Sequence, residues 1–140
     1  TIFGSINGNC FAACMASILE QDITDVPNFV FESPDGDWFV RFRRWLRQHW
    51  RLDAVMLARP EDENLPVHEQ GWHPMGWSIA IVKSKTSSHA VVCEDGKIVH
   101  NPDPYGDVIH YQPLLAWLVF LPMTDLLDDW IAHRKACYTS

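Results

Sequence analysis

No apolar run in the chain approaches the roughly 20 residues that a membrane-spanning helix needs, so no membrane partner is expected. The opening residues also lack the basic start and apolar middle of a signal peptide, although the chain begins at Thr1 rather than methionine, which leaves export open. Net positive charge is missing too. Eleven Lys and Arg against eighteen Asp and Glu give −7, so the usual footprint of a phosphate-backbone binder is absent and no nucleic-acid partner is expected. Four cysteines (Cys10, Cys14, Cys93, Cys137) are too few for a disulfide framework, which points to a reducing, cytoplasmic setting. Cys10 and Cys14 stand one helical turn apart, where a mutual bridge would be strained. Repeats and low-complexity tracts are lacking as well, and 140 residues suffice for one domain over 1–140 that buries roughly 70% of its unfolded surface.

What is present is core material: 47% of residues are apolar and seven are tryptophans, which excludes disorder. A first helix is expected from Cys10 to Glu20, with Asn9 as N-cap after the Asn7-Gly8 turn. Phe11, Ala12, Ala13, Cys14, Met15, Ala16, Ile18 and Leu19 leave it almost no polar face, so it must lie inside the fold. "DITDVPNF" breaks it before Pro27. A second helix is expected over "DGDWFVRFRRWLRQHW", with Trp38, Phe42, Trp45, Leu46 and His49 on one core-facing stripe. Its acids come first and its arginines last, as the helix dipole favours. Five of the eleven basic residues (Arg41, Arg43, Arg44, Arg47, Arg51) crowd here; they read as a solvated face, the other reading being a contact surface for an acidic partner.

Strands are expected at 52–58, 77–83, 88–94, 97–101 and 114–121, followed by an amphipathic helix opening on Thr124. Helices first and strands after predict an α+β architecture, with the buried N-terminal helix packed on a small antiparallel sheet.

"SHAVVCEDGKIVHNPDP" carries the second half of the candidate chemistry. With Glu94, Asp95 and Gly96 as a three-residue loop, Cys93 pairs with Lys97, Val91 with Val99 and His89 with Asn101. His89 and Asn101 would then stand opposite at about 5 Å between Cβ atoms. If Asp95-Gly96 instead forms a two-residue turn, His89 faces Pro102 and Asn101 turns to the other side of the sheet. Asp103 ranks second for the orienting role.

A thiol at a helix N-terminus sits at the positive end of the dipole, which favours the thiolate. Cys10 as nucleophile, His89 as base and Asn101 as tautomer-fixing partner form a candidate triad. Cys14 and Cys93 are assigned to packing, and His68 and His73, in the long acidic loop, to a possible cleft border. That loop, Arg59 to Gly76, and "KSKTSS" before His89 are the expected cleft walls. A zinc site from Cys10 and Cys14 with His89 and Cys93 is disfavoured, because strand residues four apart lie about 13 Å apart.

In this order of Cys at a helix start, then His, then Asn on the following strand, the chain resembles the papain-like cysteine peptidases. "HAVV" followed after a tight turn by "VHNPDP" is most similar to the small bacteriocin-processing (double-glycine leader) peptidases and related bacterial and phage proteins. The resemblance runs from about Gly8 to Tyr105, with its matches at the two ends. It implies a papain-like fold, a thioester intermediate, a peptide or protein substrate, and neither metal nor other cofactor. The family's glutamine ahead of the Cys is missing. Asn7, together with the Cys10 N–H, is the candidate oxyanion donor, a side-chain donor of this kind being worth roughly 3 to 4 kcal/mol; a donor upstream of Thr1 is the alternative. The same triad could instead run deamidation or acyl transfer, or stand idle in an interaction or inhibitor module. The sequence does not indicate an oligomeric state.

Overall fold

The computed structural model describes residues 10–32, 36–60, 63–83, 88–102 and 112–123. Three helices come first: α1 (Cys10–Leu19), the single turn α2 (Phe29–Glu32) and α3 (Trp38–Trp50). Five strands follow: β1 (Leu52–Ala58), β2 (Trp77–Lys83), β3 (Ser88–Glu94), β4 (Lys97–His100) and β5 (Leu114–Pro122). They form one antiparallel sheet in the order β1-β5-β2-β3-β4, which makes the protein α+β. Among the described residues no helix is long and apolar enough to cross a membrane. The expected C-terminal helix and the Asn9 cap lie outside the described residues.

The first helix begins and ends almost where its apolar run does. It closes with Glu20 in the left-handed region (φ 56°), Gln21 N–H donating to Ala16 O at 2.9 Å and Glu20 N–H to Ser17 O at 3.3 Å. This pair of bonds satisfies the last carbonyls of the helix. The break that follows is organised by Asp22, whose Oδ1 accepts from Thr24 N–H at 3.0 Å and so caps a short 3₁₀ turn over Ile23–Asp25.

With no polar face to spare, α1 is covered on opposite sides. Its Phe11, Ala12, Cys14, Met15 and Ala16 pack in one core with Ala90 and Val92 of β3 and with Phe29, Phe42 and Leu46 of the other helices. The Phe11 ring meets Trp38 edge-on at 5.1 Å and Phe42 at 4.9 Å, geometry that adds to plain burial. The expected second helix therefore exists, shortened to start at Trp38, and its stripe is confirmed at Phe42 and Leu46. His49 departs from the expectation and is exposed.

The opposite face of the sheet is buried as well. Ala80, Val82, Val91, Cys93, Leu114 and Trp117 form a second core, into which the long loop inserts Val67. The loop is held by Leu114 N–H donating to Leu65 O at 2.9 Å and by a bridge between Pro66 and Pro113. A sheet covered on both faces needs nearly continuous apolar strands rather than alternating ones, and "WSIAIVK" and "LLAWLVFL" have that character.

Asp53 on β1 fastens α3 to the sheet. Its Oδ1 accepts from Arg43 Nε at 2.8 Å, and its Oδ2 from Arg43 Nη2 at 3.0 Å and Arg47 Nη2 at 2.6 Å. Arg43, then Arg47 and the Ala54 N–H, hold the carboxyl well below the usual carboxylate range against the opposing effect of burial. Arg41, Arg44, Arg47 and Arg51 are exposed, in keeping with a solvated face, and Arg43 and Arg47 also tie α3 to the sheet through Asp53.

The hairpin between β3 and β4 corrects the expected register. Glu94 pairs with Lys97 and Cys93 with Ile98, so the loop is the two-residue Asp95-Gly96 turn, both residues at positive φ (49° and 79°). A bulge follows, because Val92 pairs with His100 and leaves Val99 as an extra residue. The turn is clamped from outside: Gly76 N–H donates to Asp95 Oδ1 at 2.7 Å and Asp95 N–H to Gly76 O at 3.0 Å. The His73 ring lies so close to Gly96 that an added Cβ would sit 2.4 Å from its Cγ.

Two stability outcomes are expected. Gly96→Ala meets both a left-handed backbone and the His73 ring, and should cost about 1 to 2 kcal/mol in urea unfolding. Asp53→Asn should cost about 1 to 2 kcal/mol at neutral pH, discounted because Arg43 and Arg47 keep 39% and 50% side-chain exposure. Because the folded-state pKa is depressed, the contribution of Asp53 is complete above its unfolded-state value of about 4 and is lost as pH falls toward the folded value. The gap between wild type and Asp53→Asn should therefore close in acid.

Candidate active site

Cys10 is the first residue of α1 and is half-buried, whereas Cys14 and Cys93 are completely buried. Burial is the main cause that pushes the Cys14 thiol well above its ordinary range, with Cys10 and Cys93 adding to it; burial likewise pushes Cys93 up to about 12. Both buried thiols stay protonated and inert at neutral pH. Cys14 has a structural task one turn below Cys10: its Sγ–H donates to Ala90 O at 3.2 Å, tying α1 to the residue after His89.

That tie brings the two ends of the sequence together. Cys10 and His89, 79 positions apart, border one cleft of about 120 Å³. Phe11, Val30, Trp38, Ile81 and Ala90 supply its apolar walls, and Ser88 a polar one. The pairing of His89 with Val82 sets it on the face away from α1, so it borders the cleft from the end of β3 rather than from beneath the helix.

Asn101 does not stand opposite His89 as the three-residue loop would have it. β4 ends at His100, which pairs with Val92, so Asn101 lies just past the end of the paired strand. Asn101 is half-buried. Asn7 and Asp103 lie outside the described residues.

The cleft walls also differ from expectation. Among the described residues, none of the 59–76 loop lines the cleft of Cys10; α2 and α3 do so through Val30 and Trp38. The loop covers the opposite face, where His68 and His73 border a separate cavity of about 370 Å³ beside the hairpin turn. "KSKTSS" contributes Ser88, and its residues 84–87 lie outside the described ones. Val30 was missed because a single helical turn carries no periodicity, and Trp38 because its stripe also marks it as core. Among the described residues, no group of three or more His, Cys, Asp or Glu could hold a metal ion.

Comparison of the chain with models of known protein families, with curated proteins and with solved structures finds no match.

The contrast among the thiols is directly measurable. Iodoacetamide on the native protein should label Cys10 quickly and leave Cys14 and Cys93 unmodified until denaturant is added, as read by peptide mass. Equal labelling of all three in the native state would contradict the burial that separates them.

Proposed function

We propose that the protein is a cysteine hydrolase of papain-like type that cleaves an amide bond in a peptide or protein substrate. The observation that carries this reading is the shared cleft of Cys10 and His89, with Cys10 at the amino end of a rigid, buried helix. Cys10 Sγ attacks the scissile carbonyl as His89 takes its proton, and the new S–C bond forms while the carbonyl electrons move onto oxygen. Collapse of that oxyanion expels the amine, which leaves with the proton from His89. Water, deprotonated by the same ring, then hydrolyses the thioester and restores the thiol. The Cys10 backbone N–H, at the first position of α1, is one donor for the oxyanion; Asn7 is assigned as the second and Asn101 as the residue that orients His89. Four cysteines that do not read as a disulfide framework are the basis for placing the protein in a reducing compartment, the cytoplasm.

The test is a peptide mixture incubated with wild type, Cys10→Ala and His89→Ala, with products and acid-quenched protein both read by mass. Cleavage with an acyl adduct on the Cys10 peptide is expected in wild type, none in Cys10→Ala, and about 10²- to 10⁴-fold slower turnover in His89→Ala. A glutamine-to-glutamate change or a crosslink would replace hydrolysis by deamidation or acyl transfer on the same residues. Biological activity that survives Cys10→Ala would overturn the enzyme reading in favour of an interaction module.

A further inference from the structure

The long loop and the β3–β4 turn border the cavity of about 370 Å³, which shares no described lining residue with the cleft of Cys10. That volume lies within the roughly 300 to 1,000 Å³ of small-molecule pockets. Three of its polar side chains are fixed from behind by hydrogen bonds. Asp95 Oδ1 accepts from Gly76 N–H at 2.7 Å, which holds the carboxylate at the turn. His73 Nδ1 lies 3.1 Å from Pro74 O; a carbonyl oxygen only accepts, so this nitrogen carries the proton and Nε2 is the acceptor of the neutral ring. Gln70 Nε2 donates to Leu65 O at 3.0 Å, which makes Oε1 the acceptor end of the amide, a buried atom that receives no hydrogen bond among the described residues. Lys97, two residues after Asp95, adds a positive charge to the lining, and Val67 and Ile98 add apolar surface.

We propose that this cavity is a binding site for a free α-amino acid with an apolar side chain. An ammonium group carries three N–H donors, and the Asp95 carboxylate, His73 Nε2 and Gln70 Oε1 are three acceptors from residues bordering one cavity. Lys97 takes the ligand carboxylate, so each charge of the zwitterion meets its opposite in a charge-assisted hydrogen bond. Val67 and Ile98 receive the side chain, whose burial adds to affinity. Side chains already held by Gly76, Pro74 and Leu65 need little ordering when the ligand arrives, which lowers the cost of binding. The ligand is bound rather than transformed, and the site does not depend on Cys10 being a nucleophile.

Amide chemical shifts of the isotope-labelled protein, followed as leucine, isocaproate or isoamylamine is added, test this. Isocaproate is leucine without its ammonium group, and isoamylamine is leucine without its carboxylate. Leucine should move the amides of residues 95–98 and bind at least about tenfold more tightly than either analogue. Asp95→Asn keeps an acceptor for the Gly76 N–H but loses the charge; it should weaken leucine about tenfold and leave isocaproate unchanged. Lys97→Gln should weaken leucine to a similar extent and leave isoamylamine unchanged. The unchanged analogue in each variant also reports an intact cavity. Amides 95–98 that stay in place at about 10 mM leucine, or equal affinity for the three ligands, would overturn the site. So would a variant with a wild-type-like spectrum that binds leucine as tightly as wild type. The hydrolase reading stands or falls separately, on Cys10 and His89.

Discussion

The burial of α1 is the constraint on which the rest depends. A ten-residue helix with Phe11, Ala12, Cys14, Met15 and Ala16 all buried keeps only Ser17 exposed and little surface for water. It must be sandwiched, and the two slices are of different kinds: small, flat Ala90 and Val92 on the sheet, and the bulky rings of Phe29, Phe42 and Trp38 on the helical side. Small residues let the helix backbone approach β3 closely enough for the Cys14 thiol to reach a strand carbonyl. The rings fill the larger gap. A helix held this way has little freedom to shift, and its first residue, Cys10, inherits that rigidity without being buried itself.

The sheet divides its labour between its two faces. One face carries the helices and the cleft of Cys10, which His89 borders from the end of β3 although its register sets it on the other face. The other is sealed by the long loop, through Val67 and the hydrogen bond between Leu65 and Leu114. That loop is acidic, proline-bearing and short of periodicity, the profile of a surface loop over a site, yet it acts as a lid on a core. It also clamps the β3–β4 turn through Gly76 and His73, and the strand leaving that turn leads to Asn101. The loop thus influences the candidate site from behind, through the hairpin.

Much of the fold was legible in the residues. β1, β2 and β3 begin and end where their apolar, β-branched runs do, because each run is bounded by turn-forming or charged residues that cannot continue a strand. The start of α1 was equally plain. The failures share a cause. Glu94-Asp95-Gly96 suits a two-residue and a three-residue loop equally well, and nothing local announces a bulge at Val99. The pairing energy of β3 with β4 chooses between these registers, and that energy is summed over both strands and the His73 and Gly76 contacts. The one-turn α2 was invisible for the opposite reason: four residues are too few for any period.

By itself the sequence determined the class of fold, the strand set, the largely buried first helix and the identity of the thiol at its head, since each follows from local periodicity and the cost of wetting apolar surface. Only the tertiary structure decided what stands beside that thiol. The hairpin register, the side of the sheet that the long loop covers, and the choice of Val30 and Trp38 as cleft walls are contacts between residues far apart in the chain. Such contacts are selected by packing summed over the whole molecule, and no short stretch of residues contains that sum.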